Sequence, residues 1–328
     1  MSLLSVSGIS IQEKGDFTLH DISFTQEEFQ KIAIAGETGA GKSTLLKIIA
    51  GLVQPDAGEV FFEDRKVIGP LDKLIPGHPG ISYLSQHFEL PKSLRVEQVL
   101  KYANTLPGEE AELLYGVCRI DHLLPRRTDH LSGGEKQRIA LAKLLISSPK
   151  LLLLDEPYSN LDAVHKNVLK SVIRDIGERL KITCVLTSHD PLDTLSWADE
   201  VLVMKAGRVL QQGTPEQMYR QPVNEYVAGL FGSYNLLPPA QATAFSKLPG
   251  IKPNGKRMLI RPENLRIVEE GQEALTGKVS KVTFYGSYYE LKVSLPGNAT
   301  VTVKTVKGNI AKGDTVYISL SPENVSYL

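Results

Sequence analysis

The chain has 328 residues, 42% of them apolar and 23% charged, which suits a globular protein of two domains and excludes a disordered or fibrous one. Its 37 basic and 37 acidic side chains cancel, so no overall field recruits nucleic acid. Cys118 and Cys184 stand alone, without a C-x-x-C pair, which excludes a disulfide framework or zinc site and points to a reducing compartment in which each is a small packing residue.

No run approaches the ~18–20 apolar residues of a membrane span, and the start lacks a charged-then-apolar leader. The expectation is a soluble chain whose membrane attachment comes through a partner. The charges are unevenly spread: residues 233–328 hold 12 Lys and Arg against 7 Asp and Glu, and residues 1–232 hold 25 against 30. That split fits two separately folded units.

In chain order, residues 5–11 and 17–24 read as short strands. Lys31–Ala35 (KIAIA) reads as a buried strand running into GETGAGKST at residues 36–44. This stretch (Gly36, Glu37, Thr38, Gly39, Ala40, Gly41, Lys42, Ser43, Thr44) fits G-x-x-x-x-G-K-[ST], whose backbone N–H groups wrap the phosphates of a nucleotide. Gly36, Gly39 and Gly41 permit torsions that turn amides toward an anion, and the helix opening near Lys42 adds its positive end. In such a cradle Lys42 reaches the β- and γ-phosphates and Ser43 coordinates Mg²⁺. Leu45, Leu46, Ile48, Ile49 and Leu52 then recur at helical spacing, with Gly51 and Pro55 as stops.

Residues 60–62 and Ile81–Leu84 read as strands, and residues 87–150 as mostly helical, with patterns at 93–106, 111–118 and 134–146. Within that region LSGGEKQR occupies residues 131–138. Ser132, Gly133 and Gly134 open a helix and offer amides to a phosphate. One cradle is already present, so a second anion-binding helix start suggests service to a neighbouring subunit's nucleotide.

Apolar runs without alternation return at Leu151–Leu154, 183–187 and 201–204, the pattern of parallel strands covered on both faces. Leu151–Leu154 delivers Asp155 and Glu156 to the carboxyl end of a core strand, where open α/β sheets bind ligands. Asp155 is suited to hold Mg²⁺, directly or through water, and Glu156 to polarise an attacking water as general base. An acidic pair that merely caps a strand is the alternative, and the phosphate loop weighs against it. Residues 205–208 (KAGR) read as a hairpin turn, and Thr214, Pro215 and Glu216 as an N-cap, first-turn proline and acidic first turn. GSYNLLPPA at 232–240 marks a boundary. Beyond it, short alternating runs at Met258–Ile260, 277–283, 288–293, Ala299–Thr305 and 315–320 predict a small antiparallel barrel.

Taken together, residues 36–44, Gln86, 131–138, Asp155, Glu156, SNLD at 159–162 and His189 in TSHD resemble the nucleotide-binding subunit of ABC transporters over residues 3–232. The resemblance implies an α/β P-loop NTPase core, residues 1–232, with a helical subdomain at about 87–150, followed by an all-β OB-like domain at 233–328. It implies ATP and Mg²⁺ as ligands. Glu156, His189 and Gln86 would be the catalytic set, and Ser43, Gln86 and Asp155 the metal set. Gln86 would be the Q-loop glutamine beside the membrane subunit, residues 159–162 the D-loop, and His189 the switch histidine at the γ-phosphate. Ser132, Gly133 and Gly134 would complete the partner's site in a homodimer.

The stretch from Gly207 to Asn235 and RPENLRI at 261–267 resemble the importer branch whose OB-like TOBE domain occurs in ATPases for polyamine, iron(III), sulfate, molybdate and sugar uptake. The implied function is ATP hydrolysis driving a bacterial importer, peripheral on the cytoplasmic face of the inner membrane. Its implied partners are integral-membrane permease subunits and, indirectly, an extracytoplasmic substrate-binding protein, with no nucleic acid. The resemblance leans toward iron(III) or polyamine as cargo.

Three positions depart from the family pattern. Glu13 stands where an aromatic usually stacks on adenine, which makes Phe17 the candidate for that contact. Pro191 replaces the glutamine after the His-Asp pair, and Asn160 replaces the D-loop alanine. A soluble ABC ATPase acting on nucleic acid or ribosomes is the alternative function. The 89 residues between Lys42 and Ser132 leave no room for a long coiled-coil insert, and the chain holds one cassette. A further alternative makes the tail barrel an independent module, with Phe284, Tyr285, Tyr288 and Tyr289 as a stacking platform for nucleic acid or a small ligand; core and dimer-interface roles are the simpler reading.

Overall fold

Continuous apolar runs can be satisfied only between two covering layers, and they form the centre of the first unit. The computed structural model describes residues 2–328 except Lys14, Gly15, Phe88, Thr105 and Gly271; the side chains of Glu13, Asp16 and Phe17 also fall outside the described part. The chain divides into two compact units, Met1–Pro215 and Glu216–Leu328.

The first unit runs β1 (Leu4–Glu13), β2 (Asp16–Gln26), β3 (Lys31–Ala35), α1 (Lys42–Ile49), β4 (Ala57–Phe62), β5 (Arg65–Lys66), β6 (Ile81–Leu84), α2 (Val96–Lys101), α3 (Gly108–Cys118) and α4 (Gly133–Leu145). It continues through β7 (Leu151–Leu154), α5 (Ala163–Arg179), β8 (Thr183–Ser188), α6 (Pro191–Leu195), β9 (Glu200–Lys205) and β10 (Arg208–Gly213). A six-stranded sheet has the order β10-β9-β3-β8-β7-β6, parallel from β9 to β6 with β10 as an antiparallel edge. Each parallel strand therefore ends its carboxyl side at the same rim, which gathers the residues after β3, β6, β7 and β8.

A second, antiparallel sheet has the order β2-β1-β4-β5. It shares one core with α1 and the large sheet, in which Ile9, Leu19, Leu45, Ile49, Leu153 and Leu202 are buried together. Each fully buried Leu or Ile there contributes about 1.5–3 kcal/mol.

The helix expected over 93–106 is shorter than its apolar pattern, running only over Val96–Lys101. Ser93 has φ 67, a left-handed backbone that no helix starts from. At the far end the Asn104 side chain accepts from the Leu106 N–H at 2.8 Å, turning the chain before Pro107.

The second unit carries α7 (Pro215–Arg220, which begins at the divide), α8 (Glu225–Leu230), β11 (Asn235–Leu237), α9 (Pro239–Ala242), β12 (Met258–Ile260) and β13 (Arg266–Val268). Then come β14 (Leu275–Phe284), β15 (Tyr289–Leu295), β16 (Ala299–Thr305), β17 (Thr315–Ser319) and β18 (Val325–Tyr327). A five-stranded sheet, β13-β17-β14-β15-β16, and a three-stranded sheet, β11-β12-β18, are antiparallel throughout, the OB-like arrangement.

The divide in packing lies earlier than the composition change at 232–240. Arg261, 2% exposed, donates to the carbonyls of Tyr219, Ala228, Gly232 and Ser233. Its guanidinium also stacks over the Tyr219 ring at 4.1 Å. The two helices before the boundary are thereby fastened to the barrel.

No helix among the described residues is long and apolar enough to cross a membrane. Cys118 and Cys184 are buried, and burial pushes both thiols up to about 12, so both act as packing residues.

Candidate active site

At the rim of the large sheet, β3 hands over to α1 through the glycine-rich loop. Gly41 caps α1 with φ 97, and a Cβ there would meet Leu19 Cδ2 at 2.6 Å and Thr18 O at 2.8 Å. Only glycine fits. No side chain caps α1 and no acid lies in its first turn, so its leading N–H groups remain open to an anion. Lys42 is 5% exposed; its ammonium donates to Gly36 O at 2.8 Å and Glu37 O at 2.9 Å, and lies 3.8 Å from Glu156 Oε1. Burial lowers the Lys42 pKa against the pull of Glu156 and Asp155.

Asp155 leaves the end of β7 into a buried polar cluster. Its Oδ1 accepts from Ser43 Oγ and Thr187 Oγ1, each at 2.9 Å, and its Oδ2 accepts from Tyr83 OH at 2.9 Å. The Tyr83 hydroxyl is pushed well above its ordinary pKa by burial and then by the Asp155 charge. Ser43 Oγ and Asp155 Oδ1 form an all-oxygen pair at the opening of α1, a donor set that fits Mg²⁺ beside phosphates.

Glu156 sits in the left-handed region at φ 46. Such a torsion costs on the order of 1–3 kcal/mol and persists where neighbours over-determine it. Here the Glu156 N–H donates to Thr187 Oγ1 at 2.8 Å. Thr187 thus ties both acids to β8. His189, two residues further on, brings Nδ1 within 3.2 Å of Glu156 Oε2. Lys42, Ser43, Asp155, Glu156 and His189 are therefore one assembly.

Gln86 is exposed at the end of β6 and reaches Ser159 Oγ at 3.5 Å, while the Asp155 carboxylate is taken by Ser43, Tyr83 and Thr187. Ser159 Oγ in turn donates to Glu156 O at 2.9 Å, so Gln86 joins the assembly through SNLD. Asn160 has φ 60, a torsion asparagine tolerates better than alanine. Pro191 occupies the first turn of α6, with Asp190 Oδ1 accepting from the Leu192 N–H at 2.9 Å, where its missing N–H costs nothing.

Ser132 caps α4 within a closed pair: its Oγ accepts from the Glu135 N–H at 3.3 Å, and Glu135 Oε2 accepts from the Ser132 N–H at 2.8 Å. A Cβ on Gly134 would meet His165 Cδ2 at 2.9 Å, so α4 approaches α5 closely there. The principal neighbours of α4 are α2, α3, α5 and β6; α1 is not among them.

The Phe17 backbone pairs with Gln12, but its side chain, like Lys14 and Gly15, lies outside the described residues. Sequence reasoning missed Tyr83 and Thr187. The available signal was a hydroxyl near the carboxyl end of a core strand: Tyr83 pairs with Leu153, two residues before Asp155, and Thr187 lies one residue before the end of β8.

The ABC transporter family matches residues 19–159 and the TOBE domain family residues 258–328. The spermidine/putrescine import ATP-binding protein PotA of Clostridium acetobutylicum is 28% identical over 98% of this chain and 95% of its own length. The sulfate/thiosulfate import ATP-binding protein CysA of Synechocystis is 32% identical over 88% and 83%. The Fe(3+) ions import ATP-binding protein FbpC 1 of Rhodococcus jostii is 32% identical over 99% and 98%. Among solved structures, cbiO1 of Clostridium perfringens, part of the ABC transporter complex cbiONQ, superposes with TM-score 0.59 at 28% identity, covering 67% of this chain and 91% of that one. The ATP-binding cassette MJ0796 with ADP and Pi shares the fold at TM-score 0.55 and 23% identity, covering 65% and 98%. The chain is an ATPase, and it belongs to the ATP-binding subunits of ABC transporters, in the importer branch that carries a C-terminal TOBE domain.

Proposed function

We propose that the chain binds ATP on the loop between β3 and α1, hydrolyses it with Glu156 as the water-polarising base, and so drives uptake through a membrane permease. The observation that carries this reading is the contact of His189 Nδ1 with Glu156 Oε2 at 3.2 Å, beside Lys42 at 3.8 Å from the same carboxylate. Lys42 and the amides at the start of α1 hold the β- and γ-phosphates. Ser43 and Asp155 hold Mg²⁺, with Gln86 adjoining through Ser159, and the ion when bound neutralises charge developing on the phosphate oxygens. Glu156 takes the water proton while His189 fixes the carboxylate's orientation and contacts the γ-phosphate.

Ser132, Gly133 and Gly134 belong to the site of a second copy, so the working unit is a homodimer with two shared ATP sites. Membrane attachment comes through permease subunits on the cytoplasmic face, fed by an extracytoplasmic binding protein. The cargo belongs to the class named for the relatives, namely polyamine, iron(III) or an oxyanion.

The deciding experiment is Glu156→Gln. Turnover should fall by about 10²–10⁴, the usual share of a general base, with ATP affinity retained and an ATP-held dimer visible by light scattering. Turnover within about tenfold of the native chain, some 1.4 kcal/mol of barrier, would remove Glu156 from this role.

A further inference from the structure

His189 is exposed, and nothing in its own side chain explains why it stays on Glu156. The explanation lies in its two chain neighbours. Ser188 Oγ donates to Asp193 Oδ2 at 3.2 Å and accepts from the Asp190 N–H at 3.0 Å. Asp190 and Asp193 are then held from across the fold by two lysines one turn apart on α5. Lys166 Nζ lies 2.6 Å from Asp190 Oδ2 and 2.9 Å from Asp193 Oδ1, and Lys170 Nζ lies 2.8 Å from Asp193 Oδ1.

Asp193 is 2% exposed, and a buried carboxylate is retained only when paired. Burial opposes the Lys166 ammonium, yet its bonds to Asp190 and Asp193 raise its pKa. Burial likewise opposes the Asp190 carboxylate, and Lys166 brings its pKa below the ordinary range. Both ions stay charged at neutral pH. The same helix begins at Asp162 of SNLD, which accepts from the His165 N–H at 2.9 Å, and Lys170 also lies over the Tyr158 ring at 5.7 Å, two residues beyond Glu156.

We propose that Lys166 and Lys170 are positioning residues for hydrolysis: through Asp190 and Asp193 they lock the backbone on either side of His189 so that its ring stays against Glu156, and they make the helix that follows SNLD the element that sets this distance. The inference rests on His189 acting in turnover as proposed above. A ring displaced by an ångström costs far more than the contact itself, because catalytic groups act only in near-attack geometry.

The test is ATP turnover by the full chain carrying Lys166→Met, in which Lys170 still compensates Asp193, and separately Asp190→Asn, which keeps the α6 cap. Each should lower kcat about ten- to a hundredfold, leave KM for ATP within about twofold, and lose almost nothing further when combined. In a His189→Ala background Lys166→Met should cost nothing more, because the residue it positions is gone. Equal losses from Lys166→Met in both backgrounds, or a shift confined to thermal stability, would overturn the proposal alone. A fully active His189→Ala chain would overturn it together with the role of His189.

Discussion

Two helix starts in the first unit carry the motifs for phosphate, and they are built in opposite ways. α1 opens on Gly41 with no side-chain cap and no acid in its first turn, and behind it Lys42 is buried against Glu156. α4 opens on Ser132, whose hydroxyl and backbone N–H are both engaged with Glu135, and Glu135 is further paired to Arg126 at 2.9 Å. The first start has no side-chain cap and no first-turn acid, which leaves it favourable to an anion. At the second, the capping pair engages the Ser132 and Glu135 N–H groups, while Gly133 meets nothing within 4 Å of a built Cβ and so leaves room for close approach from outside. An uncapped helix start suits the nucleotide proposed for its own chain, and a capped one with an open glycine face suits the docking proposed for another subunit's.

Ser132→Arg is the severest way to break that contrast. If the α4 start completes a second copy's site, turnover should fall at least about a hundredfold, the scale of losing preorganised donors at the reacting group. ATP affinity of the isolated chain should meanwhile stay within a few-fold. Mixing this variant with Glu156→Gln chains leaves one composite site without a lesion, and recovered activity on mixing would sharpen the case. Turnover per chain that is independent of concentration down to monomeric samples would refute a shared site.

Lys42→Ala addresses the other start. Removing a charged donor from the phosphates should weaken ATP by about 1.5–3 kcal/mol, roughly ten- to a hundredfold in dissociation constant. An unchanged constant in nucleotide titration would show that α1 is not the phosphate site. The smallest expected effect is at Phe17. If its ring stacks on adenine, Phe17→Ala should cost about 1 kcal/mol of ATP affinity and narrow the preference for ATP over GTP. Equal binding of the two nucleotides before and after would exclude the contact.

Much of this site was legible because its motifs sit at the ends of strands whose apolar runs are unmistakable. KIAIA, LLLL and the run ending at Thr187 became β3, β7 and β8, and the residues after them meet because parallel strands bring their carboxyl ends to one rim. Local turn chemistry hid other features: the helix at 93–106 lost a turn at each end to the Ser93 torsion and the Asn104 turn. Arg261 reads as one residue of a barrel motif, yet its buried guanidinium gathers four carbonyls from residues 219–233. Nothing local announces a bond that spans so many residues.

By itself the sequence determined which residues are candidates for binding phosphate, holding a cation and polarising water, because those roles need particular side chains at fixed offsets from a strand or helix end. Only the tertiary structure decided how they are held. Thr187 bridging Asp155 and Glu156, Tyr83 on Asp155, and the Lys166 and Lys170 ties that fix the flanks of His189 all join residues distant in the chain. Such contacts depend on the register of neighbouring strands and on the packing of α5 against α6's acids, and neither quantity is written in any one stretch of residues.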